Sequence, residues 1–198
     1  MRGKLPGGEG EKLGSRDRLI AGAVAVVARD GLEKASVKAI AAEAKIGPGL
    51  LHYHFASKEA VLEAALMQAS ERHAARLRDL RENTPPGRMI PAFIALAGDA
   101  IGDDIELFKV RIAFAARAMA DPALASRFRA TNAASLEETA CLFAADRGAA
   151  KPTGDDRARA QVVKACYDGI MLSLMMDAEF PVATARTLFS RALAVDER

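Results

Sequence analysis

Tryptophan is missing from this 198-residue chain, and tyrosine occurs only at Tyr53 and Tyr167. A quaternary ammonium is held by aromatic faces, tryptophan best of all, so a cage for such a cation has little to be built from. Cysteine is equally scarce. Cys141 and Cys166 fall in separate helical patterns without metal-ligand spacing, which points to reduced thiols and a cytoplasmic setting. No apolar run reaches the length of a membrane span, and the first residues lack the apolar core of a signal peptide, so no membrane partner is expected. A glycine-rich phosphate loop, an HExxH pair and a nucleophile elbow are also missing, and the reading is of a protein that is not an enzyme and needs no metal or cofactor. His52 and His54 do not rescue a metal site. Two positions apart on a helix they diverge by about 200° and cannot readily share one ion.

What is present is alanine, leucine and valine in quantity. Half of the chain (51%) is hydrophobic, and its charges recur at three- and four-residue spacing, the pattern of an all-α protein. The net charge is +2, yet residues 1–60 carry 10 Lys/Arg against 7 Asp/Glu, so the whole positive excess sits at the front. Residues 1–14, glycine-rich, charged and unpatterned, read as a flexible arm in which Arg2, Lys4 and Lys12 could follow a nucleic acid. Asn83-Thr84-Pro85-Pro86-Gly87 is the clearest breaker in the chain. Helices are expected over 15–29, over 36–54 in two short pieces, over 57–82, and then near 88–101, 104–120, 122–147, 155–177 and 182–195. Along the helix over 57–82, the cluster Arg72, Arg76, Arg78 and Arg81 reads as solvated and paired with Glu71, Asp79 and Glu82.

The stretch from Ser36 to Phe55, SVKAIAAEAKIGPGLLHYHF, organises the rest. Ser36 is a good N-cap, and Val37, Ile40, Ala41 and Ala44 follow at helical spacing. Gly47-Pro48 starts a second helix, because the first helical position has no use for an N–H and suits the fixed φ of proline. That second helix is barely two turns long and cannot hold itself in water. The helix before it supplies a platform through Leu19, Ile20, Ala23, Val26 and Val27, with Gly31 as the stop.

These residues resemble the TetR family of transcriptional repressors. The pattern is carried by Ser36, Ile40-Ala41, Ile46-Gly47, His52-Tyr53-His54-Phe55 and Ser57-Lys58-Glu59, and the specific likeness covers about residues 15–65. Two positions depart from it. Lys45 stands where the family usually has glycine, and His52 where tyrosine is commonest. The resemblance implies an N-terminal three-helix helix-turn-helix domain (15–60, motif 36–55) and a helical effector-binding and dimerisation domain (61–198), about nine helices in all. It further implies operator DNA as a partner, with Ser36, Lys38, His54 and Lys58 at phosphates and Gly47, Pro48, Gly49, Leu50, His52 and Tyr53 toward base edges.

Homodimerisation is expected through the last two helices. Ala165, Gly169 and Ser173 form a stripe of small residues in one, and Val182, Ala185, Phe189 and Ala192 share a face of the other, with Leu188 and Val195 beside them. Asp121 to Leu124 and the segment from Tyr167 to Met176 look similar to the BetI-like branch, whose best-known member responds to choline. The aromatic scarcity argues against choline here and for a bulkier apolar or weakly polar effector. Candidates to line its site are Phe93, Phe108, Arg111, Phe114, Arg117, Asn132, Tyr167 and Asp168. Two other classes compete: an enzyme using His52, His54, Cys141 or Asp168, and a helical scaffold with protein partners alone. The helix-turn-helix pattern favours the regulator over both.

Overall fold

The computed structural model describes residues 14–103 and 105–194, with the side chains of 97–103, 186, 193 and 194 outside that description. The expected arm with Arg2, Lys4 and Lys12, the boundary residue Asp104, and Val195 lie outside the described residues. Every regular element among those described is an α-helix, and the chain divides after Ala65 into two compact units.

The first unit is built on α1 (Ser15–Asp30), α2 (Val37–Glu43), α3 (Pro48–His54) and the opening turns of α4 (Lys58–Asn83). The stripe of α1 is buried as its spacing dictates, and Gly31 ends the helix at φ 83° with its N–H on the Val27 carbonyl. Leu19, Ile40, Leu51 and Leu62 are each completely covered, and each such burial contributes about 1.5–3 kcal/mol. Leu51 therefore anchors α3, a helix with too few turns to stand alone. Ser57 starts α4 by accepting the Ala60 N–H at 3.2 Å.

The second unit continues α4 and adds α5 (Met89–Asp103), α6 (Ile105–Ala118), α7 (Pro122–Thr131), α8 (Ala133–Asp146), α9 (Gly154–Met176) and α10 (Val182–Ala194). Its core joins Leu77, Ile90, Phe93, Leu142, Phe143 and Val163. The Pro85-Pro86-Gly87 break is closed onto α8 by Asp146, whose Oδ1 accepts the N–H groups of Gly87 (2.8 Å) and Met89 (2.9 Å). Thr153 and Asp156 form a capping box at the start of α9, and Arg147 reaches Asp156 at 2.6 Å. Burial alone would push the Asp156 carboxyl up, but the hydrogen bonds from Thr153 and the charge of Arg147 hold it below its usual range.

Three sequence expectations need correcting. The helix expected over 122–147 is two helices, broken at Asn132. The Asn132 Nδ2 donates to the Phe128 carbonyl at 2.9 Å and its N–H moves to Arg129 O, so a side-chain amide competes with the helix ladder without any glycine or proline to mark it. Arg78 and Arg81 pair not along their own helix but with Glu138 on α8, at 3.0 and 3.2 Å. On α10, Phe189 turns inward against the core, while Leu188 (58%) and Ala192 are exposed.

Candidate nucleic-acid interface and ligand cavity

Ser36 caps α2 by accepting the Ala39 N–H at 3.1 Å. At the other end Lys45 N donates to Ala42 O (3.0 Å) and Ile46 N to Ala41 O (2.9 Å), the paired bonds of a Schellman motif. Lys45 occupies the left-handed position of that motif, at φ 55°. A β-carbon there is disfavoured, so Lys45→Gly is expected to raise the stability of this unit by about 1 kcal/mol in urea denaturation. A drop in midpoint would show that the lysine side chain contributes more than its backbone strain removes. The turn is also clamped from α1: the Arg18 guanidinium donates to Ala44 O (2.8 Å) and Lys45 O (2.7 Å), occupying carbonyls the helix end leaves free. Arg18 was not among the sequence candidates. Its only local signal is a cation near the start of α1, and its partners lie 26 and 27 residues away.

From that clamped turn α3 projects one continuous exposed face. Gly47, Pro48, Gly49, Leu50, His52 and Tyr53 all lie on the surface, with Tyr53 at 80% exposure and Leu50 at 38%. Space is open around Gly47 and Gly49, so a flat surface could approach their backbone closely. Lys38 is exposed on α2. The two remaining expected phosphate contacts are differently placed. His54 is half-buried, with Nε2 2.8 Å from Ser15 Oγ, and its ring meets Tyr53 edge-on at 5.0 Å. Lys58 donates to the carbonyls of Leu32 (3.3 Å) and Ala35 (3.0 Å), two of the three bonds an ammonium can make. Those carbonyls offset the unfavourable placing of a cation in the first turn of α4.

The second unit holds a cavity of about 170 Å³. Phe93, Phe108, Arg111, Asn132 and Tyr167 line it, five of the eight residues expected to do so. Of the others, Phe114 is covered and stacks on Phe128 at 6.0 Å, and Arg117 is on the surface. Asp168 stands beside the cavity and pairs with Arg111 and with Lys164, the latter at 3.1 Å. Arg111 lies across the Phe108 ring at 5.1 Å, and although its burial lowers the guanidinium pKa to about 10, it stays charged at neutral pH. Reading the sequence alone missed His73, Arg76, Lys164 and Phe189 on the wall. Ser70 and His73 were findable, since they share a helix face with the buried Leu66 and Leu77 of α4 and interrupt an apolar stripe.

The same two-part division appears in comparisons with known proteins. Residues 19–65 match the family model of bacterial regulatory proteins, tetR family, and residues 86–195, more than half of the chain, match that of the BetI-type transcriptional repressor, C-terminal. The HTH-type transcriptional regulator UidR of Escherichia coli K12 is 35% identical over 89 residues, 44% of this chain and 45% of UidR. The HTH-type nicotine-responsive transcriptional repressor HdnoR of Paenarthrobacter nicotinovorans is 38% identical over 71 residues, 34% of this chain and 37% of HdnoR. The matched stretch thus spans less than half of either relative. Over nearly the whole chain, the fold is similar to that of the regulator FadR of Bacillus subtilis, solved in complex with stearoyl-CoA: TM-score 0.74 at 18% identity, covering 89% of this chain and 96% of FadR. With matches to the tetR family model in the first unit and to the BetI-type C-terminal model in the second, the chain belongs to the TetR family of transcriptional regulators.

Proposed function

We propose that this chain is a cytoplasmic, dimeric repressor that leaves its operator when a small molecule fills the cavity of the second unit, and that it acts by binding and not by catalysis. The observation that carries this reading is the face of α3: Leu51 is completely buried and fixes the helix, while Leu50, His52 and Tyr53 stand outward. A short helix held this way fits a major groove, with Gly47 and Gly49 allowing close approach, Leu50 suited to a thymine methyl, and Ser36, Lys38 and the remaining Lys58 N–H suited to phosphates. One such helix makes too few contacts to select a site in a genome, so two are required, about one turn of DNA (34–36 Å) apart. The mate is supplied by α9 and α10 of a second copy. Val162 (62% exposed), Ala165, Gly169, Leu172 and Met176 (82% exposed) run along one side of α9, and Leu188 stands out from α10. Small-molecule control is supported by the cavity and by relatives described as nicotine-responsive or bound to stearoyl-CoA. The ligand acts by binding more tightly to a dimer geometry that no longer matches the operator.

The test is gel retardation of the DNA flanking its own gene, over a salt series. Several phosphate contacts per recognition unit make log K fall steeply with log salt. Tyr53→Ala should leave the unfolding midpoint unchanged, because the ring is mostly in solvent, and weaken specific operator binding by about tenfold or more, roughly 1–3 kcal/mol. Retention of the operator with full affinity by that variant, or a flat salt response, would refute the assignment of α3.

A further inference from the structure

We infer that the effector is a compact organic carboxylate with an apolar body about the size of one ring; this rests on the reading of the cavity as the effector site. Its polar wall is cationic. Arg111, Lys164 and Arg76 line it, and the described lining residues include no Asp or Glu. Asp168, just outside, serves both Arg111 and Lys164 and so leaves that trio with one positive charge in excess. The Arg111 guanidinium is mostly buried, at 16% exposure, and its central carbon lies 5.1 Å from the centre of the Phe108 ring. A planar fork held in this way is matched by the two oxygens of a carboxylate. A cationic ligand would instead meet like charges, which argues against choline on firmer ground than aromatic content does. A neutral, weakly polar effector of the kind the composition suggested would leave the excess charge unanswered.

Size narrows the class further. Phe93, Phe108, Leu136, Val163 and Phe189 give an apolar chamber, and about 170 Å³ is close to the roughly 150 Å³ cavity that takes up a single benzene. An aromatic or alicyclic acid fits that space. A carboxylate seated on Arg111 takes the place that Asp168 now fills and leaves Asp168 to Lys164. Asp168 belongs to α9, which carries the cavity residues Lys164 and Tyr167 on one side and the exposed Ala165, Gly169 and Leu172 on another. Exchange of that ion pair thus acts on the helix that bears the proposed dimer face.

Thermal unfolding and calorimetric titration of the full chain with benzoate, cyclohexanecarboxylate, benzyl alcohol and benzylamine test the inference. Both acids should raise the unfolding temperature at millimolar concentration, and the alcohol and the amine should not. Arg111→Gln should weaken acid binding by about tenfold or more, with Arg111→Lys recovering part of it. If Arg111→Gln does not fold, Lys164→Gln should still weaken the acids, and the four-ligand series decides the class without any variant. Equal binding of benzylamine or benzyl alcohol, or no binding by either acid, overturns the proposal. None of these readouts involves DNA, so failure of operator retardation with acid binding intact would count against the regulator reading alone.

Discussion

Gly22→Leu is expected to destabilise the first unit by about 3 kcal/mol or more and to abolish operator retention at any practical concentration. Gly22 is buried in the middle of α1, where α2 crosses it. A β-carbon at Gly22 would lie 3.0 Å from both the Ala44 N and the Ile40 O, and 3.2 Å from the Ala44 Cβ. The first two are backbone atoms at the end of α2, so no side-chain rotation can make room for the added group. The damage would fall on the clamped turn that aims α3. Alanine provides the graded case. It gains about 1 kcal/mol of helix propensity over glycine but meets the same backbone, so a net loss of about 1 kcal/mol is expected. Urea denaturation followed by circular dichroism reads both variants. A leucine variant as stable as the parent would mean that α1 and α2 can separate slightly without consequence.

That example also shows where sequence reading stops. The first helix is legible because Leu19, Ile20, Ala23, Val26 and Val27 repeat at one period, and period decides burial. Ser36 and Gly47-Pro48 are legible because capping and proline act within one turn of chain. Lys45 is legible conditionally: a left-handed residue there carries a strain, and the observed φ of 55° meets the condition. Gly22 is not legible. In LIAGAVAVVA every small residue looks interchangeable, and only the crossing of a second helix distinguishes one of them. Arg18 and Glu138 are hidden for a related reason, since each is defined by partners distant in the chain.

The cavity is an intermediate case. Aromatic and arginine residues on middle helices were nameable as candidates, and five of eight line it, but helical spacing alone cannot say on which side of a packed layer a side chain emerges. Phe114 therefore went into the core and Phe189 into the wall, contrary to expectation. Asn132 was expected as a ligand contact. It does line the cavity, yet its amide is also engaged in breaking a helix. Single side chains serving two ends are invisible to a pattern that assigns one role per position.

If the proposed dimer face of α9 is right, Gly169→Glu is expected to yield a monomer and to lower operator affinity by about a hundredfold or more, with the fold of each chain preserved. Gly169 is exposed on α9, and a β-carbon there would meet nothing within 4 Å. Within one chain the substitution is therefore harmless, and it gains helix propensity, since glycine inside a helix costs about 1 kcal/mol. Between two copies it is not harmless. A two-fold interface sets the same patch against itself, so a carboxylate placed among Val162, Leu172 and Met176 is desolvated against apolar surface and brought near its own copy. The loss at the operator follows from linkage. With two recognition helices joined, binding of the second is intramolecular, and separation forfeits that effective concentration, a factor on the order of a hundred or more. Analytical ultracentrifugation and gel retardation give the two readouts, and the unfolding midpoint supplies the control. Should Gly169→Glu sediment as the parent does, the exposed side of α9 is not a contact between copies, and the proposed dimer face is refuted.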